Sequence, residues 1–241
     1  AAVNLIDEGN TVPFIARYRK EATGSMDDQV LRKLGERLDY LRGLDKRRDE
    51  VKRSIEEQGA MTEELAQKLE AAETLARLED LYRPYRPKRK TRASVARARG
   101  LAPLAELLLA QNSGTDPEKA AADYLSEEVP DTAAALAGAR DILAEQFSDD
   151  AALRQELREL YQRTALLASK AADAEKESVY EQYYDYAEPV SKVAGHRILA
   201  VDRGEREGFL KVSIQAESEQ AAALLRRRFV RSGGGPSAAQ V

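Results

Sequence analysis

Leucines at helical spacing are the strongest pattern in the first third of the chain. Apolar positions recur every three or four residues, at Leu31, Leu34, Leu38 and Leu41, and resume at Val51 and Ile55. This spacing puts the apolar side chains on one face of a helix. We predict a long helix that begins after Ser25 as its N-cap and ends near Gln58, before Gly59.

A second amphipathic helix is predicted from about Thr62 to Leu81. Its apolar face comprises Leu65, Leu69, Leu75, Leu78 and Leu81. The link at residues 59–60 is short, which favours an antiparallel helical hairpin. The helix should end before Pro84 and Pro87, because proline removes a backbone donor and restricts the residue that precedes it.

The rest of the chain alternates further helices with one pair of short strands. Helices are predicted at about residues 1–8, 103–111, 117–127, 132–147, 149–170 and 217–231. Residues 171–195 are polar and rich in tyrosine, which is typical of a connector. The runs at 197–202 and 209–214 flank a glycine-containing turn and predict a β-hairpin. The fold class is therefore mainly α: a multi-helix array with a long antiparallel helical hairpin, plus one β-hairpin near the C-terminal end.

We divide the chain into three regions on this basis. Residues 1–99 hold the helical hairpin and a basic loop at 83–99; residues 100–195 hold further helices and the connector; residues 196–241 hold the β-hairpin and the start of a following helical segment. The chain does not begin with Met, and its last residues resemble the start of a helix. We therefore expect it to be a piece of a longer protein.

Composition narrows the functional classes. Apolar residues make up 43% and charged residues 33% of the 241 positions, which suits exposed amphipathic helices. There is no cysteine, so disulfides and thiolate metal sites are excluded, and we expect a cytoplasmic location. No apolar run approaches the ~20 residues of a membrane helix, so we expect no membrane partner.

Charge is strongly segregated along the chain. The window from Leu81 to Ala105 contains eight cations and no Asp or Glu, so with a net charge of −4 for the whole chain, the remainder carries −12. Concentrated cations attract polyanions, arginine can bind phosphate in a bidentate manner, and tyrosine can stack on bases. The predicted nucleic-acid-binding residues are Arg83, Tyr85, Arg86, Lys88, Arg89, Lys90, Arg92, Arg97 and Arg99. The alternative is a solvated basic loop that maintains solubility or docks on the acidic remainder of the chain.

We interpret two smaller basic clusters as parts of the folded structure and not as binding sites. Arg17, Arg19 and Lys20 lie beside Phe14, Ile15 and Tyr18. We expect Phe14 and Ile15 to pack under the long helix and the cations to pair with Glu21, Asp27 or Asp28. Residues 226–228 are three arginines that we interpret as a solvated helix face, and we expect Tyr183 and Tyr184 to pack against neighbouring helices.

No catalytic constellation is visible in the sequence. His196 is the only histidine, and no glycine-rich phosphate-binding motif is present. Three pairs of adjacent carboxylates, Asp27–Asp28, Glu63–Glu64 and Asp149–Asp150, lie at predicted helix starts, where they complement the helix dipole. We predict no catalytic residue, no metal site, no cofactor and no small-molecule substrate.

Three blocks of sequence resemble the bacterial Tex family. They are residues 11–21 (TVPFIARYRKE) with Thr23 and Gly24, residues 78–91 (LEDLYRPYRPKRKT), and residues 196–204 (HRILAVDRG) with Glu207 and Gly208. The resemblance implies a multi-domain cytoplasmic transcription accessory protein whose N-terminal region is helical, with a helix-turn-helix-like arrangement and a long helical hairpin. It also implies ribonuclease-H-like, helix-hairpin-helix and OB-fold parts, all absent from this chain, and it transfers no catalytic residue.

The sequence therefore predicts a non-catalytic, nucleic-acid-associated scaffold domain. Contacts to the phosphate backbone of RNA or DNA should be weakly sequence-specific and sensitive to salt. The alternative is a protein-interaction scaffold that docks on the rest of the protein, on RNA polymerase or on other transcription proteins, without direct contact to nucleic acid.

Overall fold

The computed structural model describes residues 1–87 and 90–241 and forms two compact units, Ala1–Pro87 and residues 88–241. The described residues are predominantly helical and contain one small antiparallel sheet. This confirms the mainly-α class predicted from the leucine spacing. The two units are described separately below.

The first unit is entirely helical over its described residues. Its elements are α1 (Ala2–Asp7), α2 (Val12–Tyr18), α3 (Lys20–Thr23), α4 (Asp28–Glu57), α5 (Glu63–Glu70), α6 (Leu75–Tyr82) and a 3₁₀ turn (Arg83–Tyr85). The long helix α4 is close to its predicted bounds, but Asp27 rather than Ser25 is the N-cap. The Asp27 carboxylate accepts a hydrogen bond from the Val30 amide at 2.8 Å, whereas Ser25 has a left-handed backbone with φ of 64°.

The predicted second helix is wrong as one continuous element, because it breaks between α5 and α6. The ion pair of Lys52 with Glu70 shows that α5 runs antiparallel to α4. The Ser54 and Tyr82 hydroxyls lie 3.0 Å apart, so α6 returns parallel to α4, toward its C-terminal end. Helix α4 therefore pairs first with the antiparallel helix α5 and then with the parallel helix α6, instead of with one continuous return helix.

Two local contacts explain this break. The Thr74 hydroxyl accepts from the Arg77 amide at 3.2 Å and caps the start of α6. The Arg48 guanidinium, on α4, donates to the carbonyls of Leu69 and Ala72, each at 3.0 Å. Because these carbonyls lie at the end of α5, the arginine supplies the partners that a terminating helix lacks.

The second unit contains eight helices and three strands among its described residues. They are α7 (Arg92–Ala98), α8 (Ala102–Ala110), α9 (Pro117–Ala122), α10 (Thr132–Ser148), α11 (Ala151–Thr164), β1 (Leu166–Ala171), β2 (Asp185–Pro189), α12 (Gly195–Arg206), β3 (Leu210–Gln215), α13 (Ser218–Phe229) and α14 (Gly235–Ala238). Helix α10 is central to the apolar core and packs against α7, α8 and α9. The Phe147 and Phe229 rings stack at 3.9 Å and extend this core to α13.

Gln111 joins the end of α8 to the end of α13. It is 4% exposed and has a left-handed backbone with φ of 48°. Its side-chain amide donates to the Phe229 carbonyl at 2.6 Å and accepts from the Arg231 amide at 2.8 Å. A buried amide with satisfied hydrogen bonds offsets the strain of the left-handed backbone.

The sheet differs from the predicted β-hairpin. Strand β1 is central, and both β2 and β3 pair with it in antiparallel fashion. Residues 209–214 correspond to β3 as predicted, but residues 197–202 belong to α12, and β1 and β2 fall in the predicted 149–170 helix and the connector. Tyr183 is buried, as the packing interpretation predicted.

Close packing of α12 on β3 accounts for the helix at residues 197–202. Val201 is 1% and Leu210 3% exposed in one apolar cluster. A Cβ on Gly204 would lie 2.6 Å from the Leu210 side chain, so the glycine allows the helix to approach the strand. The Tyr180 hydroxyl donates to the Glu207 carboxylate at 2.8 Å. The hydrogen bond from Arg203 and, to a smaller extent, that from Tyr180 lower the pKa of Glu207.

Replacing Arg48 with alanine should destabilise the first unit by about 2 kcal/mol, because two carbonyls at the end of α5 lose a charged donor. Urea denaturation followed by circular dichroism measures this difference. The matched control is Arg53→Ala, on the exposed side of α4, which should change stability by less than about 0.5 kcal/mol. Equal effects of the two substitutions would contradict the role assigned to Arg48.

Replacing Gln111 should loosen the attachment of α13. We expect Gln111→Gly and Gln111→Ala to lose about 1–3 kcal/mol of hydrogen bonding. Alanine should be worse than glycine by about 1 kcal/mol because of the left-handed backbone. Hydrogen–deuterium exchange of α13 reports the loss, and unchanged protection in both variants would be the contrary result.

Candidate nucleic-acid interface

We call residues 83–99 the basic segment. Its first-unit part lies at the C-terminal end of α4. Arg83 and Tyr85 form the 3₁₀ turn after α6, and the Gln58 side chain donates to the Tyr85 carbonyl at 3.0 Å. Tyr85 is half-buried, whereas Arg83 and Arg86 are exposed. The prolines therefore end the helix as predicted, and the turn is fixed to the helical scaffold.

Glu79 is shared between two arginines in this part of the structure. Its carboxylate accepts from Arg47 at 2.6 Å and from Arg86 at 3.1 Å. The hydrogen bonds to Glu79 and Glu50 raise the pKa of the Arg47 guanidinium further above neutrality. Because Arg47 also pairs with Glu50, two carboxylates balance the two guanidinium groups, and Arg86 remains the more exposed of the two arginines.

The second-unit part of the basic segment begins with exposed cations. Lys88 and Arg89 lie outside the described residues. Lys90 is exposed and forms no ion pair within the described part of the chain. The Arg92 side chain is 88% exposed and lies 3.4 Å from the Asp141 carboxylate. A contact this exposed contributes little stability, so it leaves Arg92 accessible to another anion.

The predicted basic loop at 83–99 is wrong from Thr91 onward, where the chain forms helix α7. Thr91 and Ser94 form a capping box, in which each side chain accepts a hydrogen bond from the other residue's backbone amide. Ala93 and Ala96 are buried against α10. A Cβ on Gly138 of α10 would lie 3.3 Å from the Ala96 Cβ, so small residues on both helices permit their close approach.

The remaining two cations of the window are paired within the second unit. Arg97 donates to Glu145 at 2.5 Å, and Arg99 donates to Glu128 at 3.2 Å. The Thr91 hydroxyl also donates to Glu145 at 3.0 Å. Glu145 is 14% exposed, so the Arg97 contact is partly shielded from water. This arrangement matches the alternative that the basic segment docks on acidic residues of the same chain.

The basic cluster of Arg17, Arg19 and Lys20 follows the predicted packing and ion pairing only in part. Ile15 is fully buried as expected, but Phe14 is 40% and Tyr18 61% exposed. Arg17, Arg19 and Lys20 form none of the expected ion pairs with Glu21, Asp27 or Asp28 within the described residues. The sequence signal for this exposed group was the adjacency of aromatic and basic residues, which we assigned to packing.

The arginines of α13 form ion pairs at the surface of the second unit. Arg228 donates to Asp150 at 3.1 Å and to Glu156 at 2.8 Å, and its side chain is 29% exposed. Arg226 lies 2.7 Å from Glu219. Arg226, Arg227 and Arg228 are all exposed, as the solvated-face interpretation predicted, and Leu224, Leu225 and Phe229 pack against the core on the other side of α13.

Within the described ranges, 1–87 and 90–241, no three His, Cys, Asp or Glu side chains form a group that could hold a metal ion. His196 is exposed at the start of α12, not before a strand as predicted. No helix there is long and apolar enough to cross a bilayer.

Comparisons with known proteins agree with the three sequence blocks. Residues 1–56 match the family model described as Tex-like protein N-terminal domain, and residues 112–234 match that described as Tex central region-like. The chain is 47% identical over 250 residues to the Transcriptional accessory protein Tex of Neisseria gonorrhoeae, covering 97% of this chain and 32% of that protein. It is 49% identical over 223 residues to Protein YhgF of Escherichia coli, covering 91% and 29%.

A more distant relative is the human S1 RNA-binding domain-containing protein 1. Identity is 29% over 224 residues, covering 88% of this chain and 22% of that protein. The chain spans about a third of the length of the bacterial relatives that it matches. Since one family model alone covers half of the sequence and a second covers its start, the chain belongs to the Tex family.

Proposed function

We propose that this chain is a non-catalytic scaffold domain of a transcription accessory protein and that it contacts RNA or DNA through its basic segment. The observation that carries the proposal is the acid-free window between Leu81 and Ala105. The names of two relatives, a transcriptional accessory protein and an S1 RNA-binding domain-containing protein, support the same biological setting.

Exposure, rather than ion pairing, divides the described cations of the window into two groups, since Arg86 and Arg92 also have carboxylate partners. Arg97 and Arg99 have carboxylate partners in the second unit and hold α7 in place. Arg83, Arg86, Lys90 and Arg92 are exposed, and we assign them, with Lys88 and Arg89 of the intervening sequence, to phosphate contacts. A phosphate must displace a carboxylate to bind a paired arginine, so the more exposed cations are the better contacts.

Phosphate contacts confer affinity without sequence preference, so this domain should bind many RNA or DNA sequences with similar strength. Binding should also weaken steeply as salt rises, because each neutralised phosphate releases counterions. A cytoplasmic location and a partnership with the transcription machinery belong to the same proposal. In the alternative, the basic segment meets an acidic protein surface and the chain has no measurable affinity for nucleic acid.

Reversing two exposed cations should test the basic segment directly. We expect Lys90→Glu with Arg92→Glu to lower the affinity for single-stranded RNA by about tenfold and to reduce the salt slope by about 1.4, equivalent to two lost phosphate contacts. Fluorescence anisotropy of a labelled RNA, titrated at about 50 and about 200 mM salt, measures both quantities.

The matched control reverses two other exposed lysines of the second unit, Lys119→Glu with Lys192→Glu, and so changes the net charge equally. Circular dichroism of every variant should equal that of the wild type. Equal losses in the two double variants would assign binding to overall charge, and the absence of binding by the wild type would favour the protein-interaction alternative.

Replacing Arg97 tests whether this residue stabilises the second unit or contacts nucleic acid. Arg97→Ala should destabilise the second unit by about 1–2 kcal/mol, because Glu145 loses a charged donor. The affinity for RNA, measured by the same titration under conditions where the variant is folded, should stay within about twofold of wild type. A large loss of affinity without loss of stability would place Arg97 among the phosphate contacts.

A further inference from the structure

The surface formed by α2 and α3 carries an aromatic and basic group outside the basic segment. We define this α2–α3 patch as Phe14, Arg17, Tyr18, Arg19 and Lys20. Phe14, Arg17 and Tyr18 are three and four residues apart, so they lie on one face of α2. The Phe14 and Tyr18 rings lie 5.3 Å apart, and the Arg17 guanidinium lies 5.9 Å from the centre of the Tyr18 ring.

The patch is held in place by a buried underside. Ile15 of α2 is 0% exposed and packs in one cluster with Leu31 of α4. The buried hydroxyl of Thr23 donates to the carbonyls of Arg19 and Lys20, each at 3.3 Å. Gly24 ends α3 in a left-handed conformation, with φ of 65°. The exposed side chains therefore project from a backbone that packing and hydrogen bonds hold in place.

The charges of the patch are not neutralised by their neighbours. None of Arg17, Arg19 and Lys20 forms an ion pair with the part of the chain that the structure describes. Glu21 is the one carboxylate within residues 14–21, and Asp28 pairs with Arg32 instead. By contrast, Arg97 and Arg99 of the basic window have carboxylate partners. The patch is thus a positive surface with accessible aromatic rings.

We propose that the α2–α3 patch binds single-stranded nucleic acid, with a base stacked on Tyr18 and phosphates paired with Arg17, Arg19 and Lys20. Single strands expose the faces of their bases, whereas a duplex buries them, so an aromatic ring beside cations favours the unpaired strand. The 61% exposure of Tyr18 makes its ring the main stacking platform, with Phe14 as its support. This inference deepens the proposed function and rests on it.

Tyr18→Ala is the central test, because it removes the ring without changing the charge. The affinity of the chain for labelled single-stranded RNA should fall by about tenfold, and Tyr18→Phe should bind like the wild type. Binding to a duplex DNA of the same length should change by less than about twofold in both variants. Since Tyr18 is mostly exposed, circular dichroism and thermal unfolding should be the same as for the wild type.

A double variant and a matched control test the charges of the patch. Arg17→Glu with Lys20→Glu should reduce the salt slope for single-stranded RNA by about 1.4. The matched control is Lys46→Glu with Arg53→Glu, which reverses two exposed cations of α4 in the same unit. The control should retain more of the affinity than the patch variant does.

The outcomes separate this inference from the function on which it rests. If the wild type binds RNA and Lys90→Glu with Arg92→Glu weakens it, but Tyr18→Ala binds normally, the patch proposal is overturned and the proposed function stands. If the wild type binds no nucleic acid, both are overturned. If the patch variants lose affinity for poly-glutamate and retain it for RNA, the patch proposal is overturned in favour of an acidic protein partner.

Discussion

The carboxylate of Glu145 accepts hydrogen bonds from the Thr91 hydroxyl and the Arg97 guanidinium, and this contact holds both ends of α7 against α10. Small residues, Ala96 and Gly138, allow the two helices to approach closely enough for these bonds to form. Since α10 also packs against α8 and α9, the pairing joins the basic segment to the core of the second unit. An acid-free sequence thus folds onto acids supplied from elsewhere in the chain.

We infer that ion pairs within the chain, together with exposure, also determine which cations are available to bind a partner. Arg97 and Arg99 have carboxylates of their own, while Arg92 keeps a highly exposed contact and Lys90 has none among the described residues. A count of cations along the sequence cannot distinguish these cases. In our proposal, the end of the basic segment has a smaller binding role than such a count predicts, and the α2–α3 patch, where the expected ion pairs do not form, has a larger one.

Much of the fold could be predicted because leucine spacing is a local signal, as the bounds of α4 show. The wrong predictions fall where contacts between residues distant in sequence determine the local structure. The short apolar run at 197–202 fits strand or helix equally, and packing on β3 selects the helix. Residues 166–171 have helical composition but pair with two strands. The capping box of Thr91 with Ser94 has serine where the usual sequence signature has Glu or Gln, so the start of α7 lacks the common local signal.

The most direct measurement is photocrosslinking of the chain to a single-stranded RNA that contains 4-thiouridine, followed by mass spectrometry of the crosslinked peptides. The account predicts crosslinks in the α2–α3 patch and in residues 83–92, where exposed cations adjoin tyrosines or lie outside strong ion pairs. Crosslinks concentrated instead on Arg97, Arg99 and residues 226–228 would contradict it, because these arginines lie outside both of the proposed binding surfaces.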